Sequence, residues 1–148
     1  MIEVKGNMWD ADVDAFVITT NGFVKKNGEA VMGRGCALEA KEKMPTLPKD
    51  LGAEIKKHGN IPHSFAYENE EGESITIYTL PVKHNWWEKA DIKLIEDSLS
   101  ELVWLLDGGG DFKVAMPRPG CGNGQLNWED VKPILEKYLD DRFIVYDY

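Results

Sequence analysis

Three glycines alternate with other residues in Gly120-Cys121-Gly122-Asn123-Gly124, directly after the apolar run Phe112 to Met116. Glycine loses more chain entropy on ordering than any other residue, so this spacing suits a backbone that must curl closely around something. Successive main-chain N–H groups in such a turn form a concave site for an anion. A flexible surface loop is the plainer alternative. A second segment, Val31-Met32-Gly33-Arg34-Gly35-Cys36-Ala37, sets two glycines around one residue just before a helical pattern. There the free amides of a helix N-terminus can meet a phosphate. Alone, this segment is only a tight turn into a helix. No Gly-Lys-Ser/Thr follows it, so it is not a P-loop, and the third glycine of a dinucleotide fingerprint is missing. Together the two turns could grip a diphosphate through backbone amides.

Reactive side chains are few. Lys83 and His84 follow the run Ile75 to Val82 and precede Trp86-Trp87. A lysine at the C-terminal end of a strand becomes a nucleophile if desolvation lowers its pKa, though most lysines are simply solvated charges. His84 is undecided, and His58 and His63 read as loop or helix-end residues. Asn21 directly follows the apolar run Ala15-Phe16-Val17-Ile18, where its carboxamide could hydrogen-bond a sugar hydroxyl. Asn27-Gly28 instead reads as the turn of a short ribbon. Nothing near Cys121 in sequence would lower its pKa, so packing is its expected role. The adjacent tryptophans either cover the core or stack on a base; Trp128 reads as core. No carboxylate pair stands out as a glycosidase-like acid and base. Cys36 and Cys121 have no metal-ligand spacing, so neither a metal nor a cofactor is expected.

The elements that must position these residues are legible from periodicity. Ile2 to Val4 and Ala15 to Ile18 read as strands, and helical patterning starts at Gly35. Leu47, Leu51 and Ile55 share a face of a second helix that stops at Gly59. Phe65 to Tyr67 and Ser74 to Leu80 form a hairpin across Asn69-Glu70-Glu71-Gly72. A helix from Asp91 to Leu106 carries one stripe of Ile92, Ile95, Leu99, Leu102, Val103 and Leu106, ended by Gly108-Gly109-Gly110. After Phe112 to Met116, Asn127 is placed to cap a helix bearing Trp128, Val131, Leu135, Tyr138 and Leu139, with Pro133 disturbing its first turns. Arg142 to Asp147 is a closing strand. Alternating strands and helices predict a mainly parallel sheet covered on both faces. Ligands of such sheets collect at the carboxyl ends of the strands, where both glycine turns fall.

Over 148 residues, 43% are hydrophobic and 29% charged, which suits one globular domain over residues 1–148. No apolar run is long enough for a membrane span, and Met1 to Lys5 is unlike a signal peptide. With two cysteines, a cytoplasmic setting and no membrane association are expected. The net charge of −9 argues against an extended nucleic-acid surface. It leaves room for a small anion held by backbone amides.

The ordered set Lys5-Gly6-Asn7, Val13 to Val17, Asn21, Met32-Gly33-Arg34-Gly35, Pro119-Gly120-Cys121-Gly122 and Leu126-Asn127-Trp128 resembles the macro domain family. Within it the chain looks like the branch holding the terminal ADP-ribose glycohydrolase and the antitoxin that reverses DNA ADP-ribosylation. Short phage and bacterial ADP-ribose 1″-phosphate phosphatases are also similar. The resemblance covers nearly the whole chain and implies a three-layer α/β/α fold with a mixed, mainly parallel sheet. It implies ADP-ribose or an ADP-ribosylated substrate as partner, bound by a monomer. Asn7 would lie near the adenine, with Tyr146 beside it, and Met8 would be a further ligand-binding residue. Gly33, Arg34, Gly35 and Cys36 would form the first phosphate loop; Pro119, Gly120, Cys121, Gly122, Asn123, Gly124 and Gln125 would form the second. Asn21 would face the distal ribose, and Lys83 falls where the glycohydrolase branch places its catalytic lysine. The human-type glycohydrolase has an acid two residues after Gly-Cys-Gly, where this chain has Gly124 and the DNA-directed branch also has glycine. A lysine–acid pair is therefore ruled out unless another carboxylate substitutes.

The expected function is hydrolysis that releases ADP-ribose at C1″. The alternatives are phosphate removal from ADP-ribose 1″-phosphate, and a module that binds or sequesters ADP-ribose-type nucleotides without turnover. A nicotinamide-dependent oxidoreductase is disfavoured, because no acidic residue follows a glycine fingerprint at the ribose-recognition spacing.

Overall fold

The computed structural model describes residues 1–107 and 110–147. Six strands form one sheet in the order β1-β6-β5-β2-β4-β3. They are β1 (Ile2–Lys5), β2 (Ala15–Asn21), β3 (Ser64–Glu68), β4 (Ser74–Lys83), β5 (Val114–Pro117) and β6 (Phe143–Asp147). All neighbours run parallel except the β3–β4 hairpin. The helices are α1 (Gly35–Lys43), α2 (Leu47–His58), α3 (Ile92–Leu106) and α4 (Trp128–Tyr138).

Strand β2 shows why the chain forms three layers. Its side chains alternate between two apolar faces: Ala15 and Val17 join one core, Phe16 and Ile18 the other. The first core is closed by Ile95, Leu99 and Leu102 of α3 and by Val131 and Leu135 of α4. The second is closed by Ala37 and Ala40 of α1 and Leu47 and Leu51 of α2. A strand buried on both faces cannot alternate apolar with polar, which explains its near-continuous apolar run. Each fully buried aliphatic or aromatic side chain, such as Leu99 or Phe143, contributes about 1.5–3 kcal/mol.

Several boundaries differ from the sequence expectation. Strand β2 extends to Asn21 and β4 to Lys83 because their pairing runs from Ala15 opposite Thr76 to Asn21 opposite Lys83, with a register irregularity between Thr20 and Asn21. Strand β5 starts at Val114 and β6 at Phe143, where their shared ladder begins. Helix α4 passes through Pro133 without a break. Asn127 takes the N-cap position of α4, but its side chain makes no capping hydrogen bond. The glycine stop placed at Gly108 and Gly109 lies outside the described residues; α3 ends at Leu106 with Asp107 as its C-cap. Asn27-Gly28 does turn a short ribbon, bridged between Val24 and Ala30. No helix among the described residues is long and apolar enough to cross a membrane.

Asp91 starts α3 as a built N-cap. Its carboxylate accepts hydrogen bonds from the amides of Lys93 (2.9 Å) and Leu94 (3.4 Å), and its other oxygen lies 2.9 Å from Nε2 of His84. The His84 hydrogen bond and the two amides hold its carboxyl below the usual value, against a smaller opposing effect of burial. A lowered carboxyl pKa stabilises the fold at neutral pH, and that contribution disappears as pH falls through the folded-state pKa. Asp91→Ala is therefore expected to cost about 1 kcal/mol at pH 7. The gap between mutant and parent should close in acid below the ordinary carboxyl range, as read from urea midpoints at the two pH values.

Candidate functional site

The carboxyl ends of β2, β4, β5 and β6 open into one cleft of about 1090 Å³, lined by Asn21, Lys83, Pro117, Tyr146 and Asp147 from the strand ends. Its volume is at the upper end for a small-molecule site, suiting a ligand of dinucleotide size. The two glycine turns form facing walls: Gly33, Arg34, Gly35 and Cys36 on one side, Gly120 to Gln125 on the other. They nearly touch, since a Cβ built on Gly35 would lie 3.5 Å from the side-chain nitrogen of Asn123.

The first wall is the start of α1. Arg34 holds the N-cap position with extended backbone and makes no side-chain cap, and the first turn contains no acidic residue. The opening amides of α1 are thus left for an external acceptor, at the positive end of the helix dipole. Cys36 pins this turn to β2: its sulfur lies 3.4 Å from the amide and 3.4 Å from the hydroxyl of Thr19. Burial pushes the Cys36 thiol pKa up, so it serves as packing rather than as a thiolate.

The second wall folds back on itself. The Leu126 amide donates to the Gly120 carbonyl (2.9 Å) and that of Gln125 to Gly122 (3.1 Å). Gly120 takes φ +73°, and Gln125 takes φ +65°, a strained conformation for a side-chain-bearing residue that concentrates at functional sites. A Cβ at Gly124 would lie 2.5 Å from the Gly120 carbonyl oxygen and 2.8 Å from Cβ of Ala90. Gly33 and Gly122 are different: a Cβ on either would meet no atom within 4 Å, and neither has a positive φ. Internal packing therefore does not require them to be glycine, whereas close approach of a ligand to their backbone would. Cys121 is half-buried; burial raises its pKa, opposed by the nearby Arg118 guanidinium.

Lys83 lies between the loops. Its Nζ donates to the carbonyl oxygens of Asn123 (3.2 Å) and Trp86 (3.5 Å). Desolvation, then the charge of Arg34, lowers its pKa below the ordinary lysine value. Asn60 supports the same strand end by donating to the Lys83 carbonyl (3.0 Å). Asn21 pairs with Lys83 in the sheet, but both ends of its carboxamide are engaged. Its Nδ2 donates to Val31 (3.1 Å) and its Oδ1 accepts from Phe23 (3.0 Å), so it shapes the first glycine loop while still lining the cleft.

Three other expected site residues do not line this cleft. Met8 is fully buried in the core between the sheet and α1, and Asn7 uses its side chain to cap the short turn Met8–Asp10 by accepting from the Trp9 amide. Pro119 is buried behind the second loop. None of the three is among the cleft-lining residues. The far end is formed instead by Arg118, Trp128, Tyr146 and Asp147. There the Arg118 guanidinium sits 4.7 Å over the Trp128 ring, and the Trp128 indole donates to Glu3 (3.1 Å). Trp128, expected in the core, is only partly buried and borders the cleft. Sequence reasoning also missed Glu88, a cleft-lining carboxylate on the loop after β4. It accepts from the side chain of Asn85 (2.7 Å), and nothing in its sequence context marks it.

No family model matches the chain. It is 28% identical over 142 residues to a DNA ADP-ribosyl glycohydrolase of Thermus aquaticus, covering 93% of this chain and 37% of that protein. The chain spans little more than a third of the length of the curated relatives it matches. The macrodomain of Mycobacterium tuberculosis DarG superposes with a TM-score of 0.76 at 25% identity, covering 99% of this chain and 97% of that one. Thermosipho africanus DarTG in complex with ADP-ribose superposes with a TM-score of 0.81 at 25% identity, over 97% of this chain and 40% of that one. A mostly parallel six-stranded sheet between helices, with likeness to these macrodomains along nearly the whole sequence, gives this chain the macrodomain fold and makes it similar to the DarG macrodomains.

Proposed function

We propose that the cleft binds ADP-ribose and that the protein hydrolyses the bond joining C1″ of the distal ribose to an ADP-ribosylated substrate. Two supports are external: the similar Thermus protein is a DNA ADP-ribosyl glycohydrolase, and the similar Thermosipho structure is a complex with ADP-ribose. The observation that carries the reading is internal. Lys83, with a lowered pKa, is held by two carbonyl oxygens where the glycine loops converge.

In this reading the amides of α1 and of the 120–125 turn take the diphosphate. Neutral Lys83 then has a lone pair for C1″. As its nitrogen bonds to C1″, the bond to the linked group breaks and that group leaves with the electron pair, taking up a proton. Water subsequently releases ADP-ribose and regenerates the amine. Gly124 occupies the position of an acid in the human-type enzyme, and the packing against Gly120 and Ala90 leaves no space there for any side chain. Proton transfer to the leaving group thus falls to another group, for which Glu88 is the cleft carboxylate on the Lys83 loop.

Three outcomes are expected. Lys83→Ala should abolish release of ADP-ribose from a substrate while leaving ADP-ribose affinity within about tenfold, a difference of ~1.4 kcal/mol by calorimetry; unchanged turnover would remove Lys83 from the mechanism. Gly122→Ala should leave thermal stability within about 0.5 kcal/mol of the parent yet weaken ADP-ribose binding, because the added methyl meets only ligand. Equal affinity would mean that the diphosphate lies elsewhere.

The third outcome concerns pH. Because the attacking amine must be neutral, kcat should rise with pH and level off below the ordinary lysine value of 10.5. Removing a positive neighbour raises a lysine pKa, so Arg34→Ala should move this limb to higher pH. A limb unmoved by Arg34→Ala would show that it belongs to another group.

A further inference from the structure

Strand β4 loses its regular neighbours before it reaches Lys83. On one side, β3 extends no farther than the residue opposite Tyr78. On the other, Thr20 of β2 stands opposite Pro81 but Asn21 opposite Lys83, so Val82 is the extra residue of a bulge. Bulges beside active sites re-aim a side chain and disrupt the local ladder. The two carbonyls past this one are taken up from outside the sheet. That of Val82 accepts from the Asp91 amide (2.9 Å), and that of Lys83 accepts from the Asn60 carboxamide (3.0 Å). Asn60 is half-buried and comes from the loop between α2 and β3, none of whose residues line the cleft.

That loop is held to β4 without help from Asn60. The His63 amide donates to the Thr79 hydroxyl (2.9 Å), and the Thr79 amide donates to the His63 carbonyl (2.9 Å). Nε2 of His63 lies 3.1 Å from the Gly59 carbonyl oxygen at the end of α2, and both His63 and Thr79 are buried. The loop is thus an arm fixed at Thr79 that reaches along β4 to Lys83. The Asn60 side chain is itself confined, since a Cβ on Gly22 would lie 2.7 Å from its Cγ. We infer that Asn60 is a positioning residue, fixing the main chain of Lys83 so that Nζ stays against the Asn123 and Trp86 carbonyl oxygens. The inference rests on the hydrolase reading above. A shift of about 1 Å in a reacting group can cost on the order of 100-fold in rate, even when the altered residue never touches substrate.

Two variants test this: Asn60→Ala, and Asn60→Leu, which keeps the volume but not the donor. Turnover is followed as ADP-ribose released from an ADP-ribosylated DNA oligonucleotide or, where that is inert, from an ADP-ribosylated protein. Both variants should lower kcat by roughly 10- to 100-fold. KM and ADP-ribose affinity should stay within about twofold, and Tm within roughly 4 °C of the parent. Lys83 is also read without substrate, by acetic anhydride labelling and mass spectrometry over a pH series. In both variants its pKa should rise toward the ordinary 10.5 as the amine gains water. Gly22→Ala must displace the Asn60 carboxamide. It should lower kcat similarly, yet add less than about twofold in the Asn60→Ala background. The inference is overturned if kcat holds, if ADP-ribose affinity falls as far as kcat, or if the Gly22 and Asn60 losses multiply. Should the parent release ADP-ribose from neither substrate, the hydrolase reading fails and the Lys83 titration alone decides the role of Asn60. A rise in pKa in the variants then supports that role, and no change refutes it.

Discussion

The close packing of Gly124 against Gly120 is the contact on which the cleft depends. Only a residue without a Cβ lets the 120–125 turn double back until the Leu126 amide reaches the Gly120 carbonyl. That reversal forces Gln125 to positive φ. It also brings the Asn123 carbonyl within 3.2 Å of Lys83 Nζ and the Asn123 side chain up to Gly35. The Gly124 carbonyl in turn accepts from the Ala90 amide (2.9 Å), so the loop bearing Trp86, Trp87 and Glu88 is anchored by the same turn. One tight approach therefore sets the two glycine turns, Lys83 and the loop bearing Trp86 and Trp87 relative to one another.

The same contact constrains the chemistry. An acid cannot be placed next to Lys83 from position 124 without opening the turn that holds the lysine. Lys83 instead meets two carbonyl oxygens and a neighbouring guanidinium, and partial desolvation favours its neutral form. A carboxylate partner would have favoured the ammonium form. In the proposed reaction this arrangement favours a nucleophilic amine and separates that role from proton delivery.

Charge is distributed unevenly to the same end. The molecule is strongly acidic, yet the described lining of the cleft carries Lys25, Arg34, Lys83 and Arg118 against Glu88 and Asp147. The start of α1 adds the positive end of a helix dipole with no carboxylate in its first turn to neutralise it. An anionic ligand therefore meets a favourable local field inside an unfavourable global one. Such a field favours a small anion held inside the cleft, as the proposed diphosphate site requires.

Much of the fold could be read from the residues alone, because periodicity and glycine placement are local properties. The buried run Ala15 to Ile18, the α3 stripe and the turn at Asn27-Gly28 each follow from side-chain spacing within one element. The convergence of the two glycine loops was foreseeable from their shared position after parallel strands, though their distance was not. What only the tertiary structure decided depended on partners far away in the chain. Asn21 became a loop staple because Val31 and Phe23 came within reach, Met8 turned into the core and Asn7 capped a turn. Trp128 reached the cleft through Arg118 and Glu3, and Lys83 acquired its lowered pKa from a desolvated position beside Arg34. A residue's type and spacing limit what it can do, but its charge state and its exposure are set by neighbours that the fold alone brings close.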